Sequence, residues 1–371
     1  MKRRVLLRAA AIAASAAGIG GALPSQAAQA AQAATGVQPG PSPYGELLAP
    51  NANGLRLPAG FTSRVVARSG QAVAGTAYTW HAAPGSGGVV PDGTGWIYVS
   101  HSEDGGASAI RFSSNGTITG AHRVDTGSTA PTVGTAMPGG GWLVGERVTG
   151  GYGYEADPRG VKAAVRRPEQ GRFKRGGLAY DGAGSLFMTE DEADGGVYRM
   201  FNTTLYAWTA ATGTGQVVHK QVPDPSAATT PVRHQLPDQI RFNRPGGLAA
   251  ANSVSYYVPT QGDSRIYRVD AFGPLLRVYY DAAQTGGGPL TSPRDMAFPL
   301  GKSAAEELFV TEGAGGNAEV CAITGSNVIA PFLRLEGGTA LAGLDFAPDG
   351  KRMYFATTSG IVHEVSGPFH G

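Results

Sequence analysis

The chain has 371 residues and a formal net charge of +2, with only 16% of its residues charged. Glycine fills 57 positions, about twice the usual share, without a collagen period, and an apolar content of 42% excludes a chain disordered throughout. Four cations, Lys2, Arg3, Arg4 and Arg8, fall in the first ten residues. The remainder is near neutral and lacks the basic stripe that a nucleic-acid partner requires.

Residues 1–30 have a basic start, an apolar middle and small residues at the end, the pattern of an export signal. Both Ala28-Gln29-Ala30 and Ala31-Gln32-Ala33 fit a cleavage site. The Arg3-Arg4 pair followed by Val5, Leu6, Leu7 and Arg8 resembles a twin-arginine signal, with leucine where phenylalanine is common. That export route implies a secreted or cell-envelope protein. Residues 31–44, rich in Ala, Gln, Gly, Pro and Ser, read as a flexible linker. Residues 45–371 then form one domain. No later stretch is apolar enough to cross a membrane as a helix, and the chain is expected to be a monomer.

Within 45–371 a turn, a β-branched or aromatic run and a polar residue recur. The runs start near Ile97, Trp142, Leu186, Tyr256, Leu308 and Met353. Most starts are about 45 residues apart, close to the length of one four-stranded propeller blade. Asn115-Gly116, Asp181-Gly182 and Asp349-Gly350 supply turn signals, and Pro138–Gly141 reads as a hairpin turn. The longest interval contains residues 222–237, which read as a surface insertion. A turn of helix at Gly301–Glu307 is the only helical signal. The expected fold is therefore all-β, a β-propeller of five or six four-stranded blades. The single cysteine, Cys321, excludes an intrachain disulfide and sits in an apolar run, as a small buried hydrophobe does.

The fifth positions of four runs hold His101, Glu146, Glu190 and Glu312, and Glu103 and Asp191 lie beside them. Blade-equivalent positions can converge at a channel mouth, and carboxylates gathered there repel one another unless a cation neutralises them. Glu103, Glu146, Glu190, Asp191 and Glu312 are thus candidate ligands for a hard cation such as calcium. His81, in a Trp80-His81 pair, reads as structural.

From Pro43 to Phe369 the chain resembles the PhoX-like alkaline phosphatases. The resemblance rests on residues 52–70 (ANGLRLPAGFTSRVVARSG), 95–112 (GWIYVSHSEDGGASAIRF), 154–167 (YEADPRGVKAAVRR), 171–181 (GRFKRGGLAYD), 188–199 (MTEDEADGGVYR) and 347–369 (APDGKRMYFATTSGIVHEVSGPF), with shorter matches between them. It implies an exported, calcium-dependent propeller that hydrolyses phosphomonoesters, with Arg244, Asp263 and Arg265 as catalytic residues near the metal. The chain also departs from the family. Thr132 stands where the family has an iron-ligating cysteine, so iron is not implied. Gly145-Glu146-Arg147 keeps one acid of a pair and adds a cation. Lys174-Arg175-Gly176, Arg244-Pro245-Gly246, Arg294-Asp295, Glu312-Gly313 and Ala340 lose further acids or add positive charge. Three functions follow. One is metal-dependent hydrolysis of a small phosphorylated substrate. The second is a catalytically impaired propeller that binds an anion, a glycan or an envelope partner. The third, a lactonase-like calcium propeller, shares the architecture but has no motif of its own here. Hydrolytic triads, HExxH, P-loop and Rossmann fingerprints are absent.

Overall fold

A computed structural model describes residues 36–370 except 129, 213, 252–254, 271–273, 300–306, 314–317 and 339. The export signal, residues 31–35 of the linker, and Gly301–Glu306 lie outside the described residues.

Six antiparallel sheets follow one another along the chain. Blade 1 comprises Pro84–Asp92, Gly95–Ser102, Ala107–Phe112 and Ile118–Val124, and blade 2 comprises Pro131–Ala136, Trp142–Glu146, Gly153–Ala156 and Val165–Arg167. Blade 3 runs from Arg175–Tyr180 through Leu186–Glu190, Val197–Phe201 and Thr204–Ala210 to Val217–Gln221, and is five-stranded. Blade 4 holds Ala249–Ala251, Ser255–Thr260, Arg265–Asp270 and Leu276–Asp281. Blade 5 holds Pro293–Ala297, Glu307–Glu312, Ala318–Thr324 and Val328–Leu335. Blade 6 holds Leu341–Phe346, Arg352–Thr357 and Ile361–Ser366, and takes its fourth strand, Thr62–Arg68, from the start of the domain. The protein is a six-bladed β-propeller. All six apolar runs read from the sequence are second strands, and Pro138–Gly141 is the hairpin between the first two strands of blade 2, closed by Met137 N–H to Gly141 C=O at 2.9 Å.

The second strands are buried on both faces, which is why they read as continuous apolar runs. The core lies between blades, with one apolar cluster at each interface. Trp80, Trp96 and Tyr98 pack against Tyr354 and Val362 where blade 1 meets blade 6. Phe187, Trp208 and Tyr256 fill the seam of blades 3 and 4. Each such aromatic contributes roughly 2–3 kcal/mol by burial.

Residues 36–44 are not a free linker. Gln38–Pro39 pairs in parallel with Val328–Ile329 on the outer strand of blade 5, and Leu55–Arg56 pairs antiparallel with Arg334–Leu335. Val37 is buried, and the Tyr44 ring stacks on His370 and packs among Phe61, Phe309, Phe332 and Phe369. Two apolar anchors in a polar, proline-containing stretch suffice to strap it down. Residues 222–237 also depart from a plain surface insertion, because the short 3-10 turn Val232–His234 carries two side chains onto the rim described below.

The six inner strands line a central channel. Their glycines set its bore: a Cβ on Gly177 would lie 2.4 Å from Gly247 Cα, and one on Gly343 would lie 2.6 Å from the Gly87 nitrogen. Neighbouring blades approach to backbone contact there, leaving a waist cavity of about 70 Å³. Beyond it, toward the C-terminal ends of the inner strands, the channel widens to about 350 Å³. No helix among the described residues is long and apolar enough to cross a membrane.

Candidate functional site

In each blade the second strand runs antiparallel to the first, so its end lies beside the start of the inner strand. Residues just after a second strand therefore meet residues just before an inner strand, all at one mouth of the channel. Arg147, Asp191, Lys174 and Arg244 occupy such positions, and Arg294 lies at the start of the blade 5 inner strand. The topology explains why residues so far apart in sequence share a rim.

Asp191 organises this mouth. It is 1% exposed, and its Oδ2 accepts from Arg147 Nε at 2.9 Å and lies 3.4 Å from Lys174 Nζ. Its Oδ1 lies 3.4 Å from Arg244 Nε. Burial alone would raise the Asp191 pKa, but the charges of Arg147, Lys174 and Arg244 outweigh it and hold the carboxyl below its ordinary value. Three cations thus share one carboxylate. The side chain of Arg244 is half exposed and Lys174 and Arg147 are partly so, which leaves their outer faces to solvent. Arg244 takes a left-handed backbone, with φ of 53°, which aims it over the rim. Arg294, two residues into the blade 5 inner strand, has no ion pair among the described residues. Its carbonyl accepts from Gly247 N–H at 2.9 Å, which pins blade 5 to blade 4 at this level.

The other expected ligands are individually satisfied. Glu190 accepts from Tyr198 Oη at 2.6 Å and from Arg233 Nη1 at 2.6 Å. Burial nevertheless pushes its pKa up, with Tyr198 and Arg233 opposing the shift. Arg233 also reaches Asp194 at 2.9 Å, and His234 Nε2 lies 2.7 Å from the same carboxylate, so residues 222–237 are buttoned to the rim by charge. Glu146 accepts from Ser128 Oγ at 2.9 Å and from Tyr152 N–H at 2.7 Å. Glu312 accepts from the Thr291 and Ser292 N–H groups at 2.6 and 3.2 Å. Glu103 lies on an exposed turn, its N–H bonded to the Ala83 carbonyl at 2.8 Å.

Among the described residues no three His, Cys, Asp or Glu side chains come together to hold a metal ion. Calcium takes six to eight oxygens, whereas local donors and cations occupy the oxygens of Glu146, Glu190, Asp191 and Glu312. The rim does not fit calcium. Iron fits no better: Thr132 offers a hydroxyl, and Cys321 lies buried within blade 5, its thiol pKa pushed up by burial.

The remaining candidates are structural. Arg265 pairs with Asp281 at 2.9 Å and sits 3.6 Å from Asp263, which also accepts from Tyr267 Oη at 3.1 Å. Arg175, one of the added cations, is fully buried and donates to the carbonyls of Gly151, Phe173, Gln170 and Gly171. Desolvation lowers its pKa to about 10, so it remains charged at neutral pH while its charge is spent on the backbone. His101 accepts from Trp142 Nε1 at 2.9 Å across the blade 1–2 seam, and burial lowers its pKa to about 3. His81 packs on Trp80 and is lowered to about 4, again by burial. Both are neutral core histidines. Sequence reasoning missed Arg233, in the proline-rich stretch 222–237, and Asp194, in the acidic turn after the blade 3 second strand.

No protein-family model matches the chain, and no curated protein matches it in sequence. Solved structures do. A gluconolactonase from Xanthomonas campestris superposes with a TM-score of 0.54 at 13% identity, over 88% of this chain and 99% of that one. Virginiamycin B lyase from Staphylococcus aureus gives 0.51 at 14% identity, over 82% and 99%. A protein of unknown function from Bacteroides thetaiotaomicron gives 0.54 at 11% identity, over 82% and 76%. These likenesses establish the propeller fold.

Proposed function

We propose that this chain is an exported, PhoX-like propeller that has exchanged metal for fixed cations and binds a small anion at the channel mouth. The observation that carries this reading is the sharing of Asp191 by Arg147, Lys174 and Arg244. One carboxylate preorganises three cations and leaves a local excess of two positive charges. Arg294, at the start of the blade 5 inner strand, has no ion pair among the described residues. The two guanidinium groups suit forked hydrogen bonds to a phosphate or carboxylate, and the ammonium supplies a point charge. A phosphate monoester is the preferred ligand, because the resemblance to the phosphatases lies in the framework that surrounds this mouth.

Among the described residues of the mouth no side chain is placed as a nucleophile, and the acids there are held in hydrogen bonds or ion pairs. Glu190 is tied to Tyr198 and Arg233, the rim histidine His234 is paired with Asp194, and His81 and His101 are held by Ser100 and Trp142. The chain's own residues can bind and orient an anion but are not arranged to hydrolyse it. The test is calorimetric titration with phenyl phosphate in chelator, beside a phosphomonoesterase assay with added calcium. We expect binding without metal, weakened about tenfold in Arg244→Ala, and no turnover above that of Glu190→Ala. A calcium-dependent rate that Glu190→Ala abolishes would reinstate metal-dependent hydrolysis and overturn this reading.

A further inference from the structure

The lower channel cavity, about 350 Å³, lies at the end opposite the cationic mouth. Its wall is backbone and small or apolar side chains, with Tyr180 and Phe298 partly exposed in it and Trp142 and Phe346 fully buried behind it. Asp345 is the only charged side chain among the described residues that line it. Its Oδ2 accepts from Val89 N–H at 2.7 Å and its Oδ1 from Phe346 N–H at 2.8 Å. A carboxylate has about four acceptor sites, so two remain. A Cβ on Gly88 would lie 2.9 Å from Oδ2 and in the cavity wall, so glycine there keeps the oxygen open to the cavity.

Asp345, part-exposed in the channel wall, differs from five of the buried acids. Asp191, Glu190, Asp281, Glu319 and Glu364 each face an arginine or lysine. No cation among the described residues pairs with Asp345. Burial accordingly raises its pKa to about 6, against the two backbone N–H groups that lower it. A carboxylate without a cation is costly to cover with a ligand unless that ligand brings a positive charge. A metal ion would find one carboxylate and few other oxygens here, short of what a hard cation needs. An organic cation would find both a counter-ion and aromatic surface.

We propose that the lower channel cavity is a binding site for a small organic ammonium ion, with Asp345 as its counter-ion and Tyr180 and Phe298 flanking its apolar part. The cavity volume matches the low end of small-molecule pockets, about 300 Å³ upward. The site is separate from the anion mouth and stands or falls independently of it.

Calorimetric titration of the protein at pH 8 with benzylamine, benzyl alcohol and calcium chloride tests this. Benzylamine is expected to bind with Kd below about 10 mM, benzyl alcohol and calcium at least about tenfold more weakly. Asp345→Asn is expected to lose at least about tenfold for benzylamine. Ala250→Phe, which adds bulk at a lining position on blade 4 away from the Asp345 hydrogen bonds, is expected to abolish binding and covers the case in which Asp345→Asn does not fold. Three results would overturn the proposal: no benzylamine binding at all, equal binding of benzyl alcohol, or benzylamine affinity unchanged in Ala250→Phe.

Discussion

Asp191→Asn separates the two roles assigned to the anion mouth. The substitution keeps size and one acceptor but removes the charge that Arg147, Lys174 and Arg244 share at 2.9 to 3.4 Å. Breaking a buried pair costs about 3–5 kcal/mol. All three cations retain solvent contact, so screening reduces this to roughly 2–3 kcal/mol. For a chain of this size that is a fall in Tm of about 3–4 °C by differential scanning fluorimetry. Anion affinity moves the other way. A bound anion on the same cations would sit on the order of 6 Å from Asp191, where like-charge repulsion at an effective dielectric of about 40 is about 1.4 kcal/mol. Its removal should tighten phenyl phosphate binding about tenfold. The stability loss is also pH-dependent. The Asp191 pKa is depressed, so its contribution is present above the ordinary aspartate range and fades as pH falls through the lowered value. At pH 7 the variant should be less stable, and near pH 2 the two proteins should converge. A variant of unchanged Tm with unchanged anion affinity would refute the account of one carboxylate organising three cations.

Other expectations are simpler. Gly177→Ala should cost about 2–4 kcal/mol, because its Cβ meets Gly247 Cα at 2.4 Å, whereas Gly120→Ala, with open space around it, should change urea stability by less than about 0.5 kcal/mol. Tyr44→Ala should lower stability by about 3 kcal/mol, since the ring packs among four phenylalanines and His370; an unchanged midpoint would show that residues 36–44 are only loosely held. Asp345 should make the wild type lose stability, relative to Asp345→Asn, as pH rises from about 4 to 7. Its folded pKa of about 6 lies above the unfolded value, so the folded state favours the protonated form. Tyr98 and Asp295 face the same part of the channel, and parallel urea titrations of the two proteins cancel their contribution.

The blade pattern was readable because each second strand is apolar on both faces and bounded by a turn. Trp142–Glu146 and Arg352–Thr357 are local signals needing no distant partner. The inner strands were not readable: Pro84–Asp92 has the sequence PGSGGVVPD, and composition calls that a loop. Only the need for a narrow channel explains strand glycines there. The rim was half legible. Repetition placed His101, Glu146, Glu190 and Glu312 at equivalent positions, with Asp191 beside one of them, but it could not show which donors saturate them. Arg233, which neutralises Glu190, lies 43 residues away, in a stretch whose composition says loop. Arg175 likewise looked like added site charge until its four carbonyl partners were seen. Charges report their number in a sequence and their occupation only in space.

Closure of blade 6 by Thr62–Arg68 has a kinetic consequence. That strand waits for Ile361–Ser366, with which it pairs about 300 residues later, so its ladder cannot form until nearly the whole chain has been synthesised. Until then two edges stay open, one on the third strand of blade 6 and one on Thr62–Arg68 itself, and each can recruit a neighbouring chain. Contact order is high for the ring as a whole, and folding should be slow with a late concerted step. The aromatic group around Tyr44 and Phe369 sits at this seam and supplies apolar burial that only the closed ring can collect.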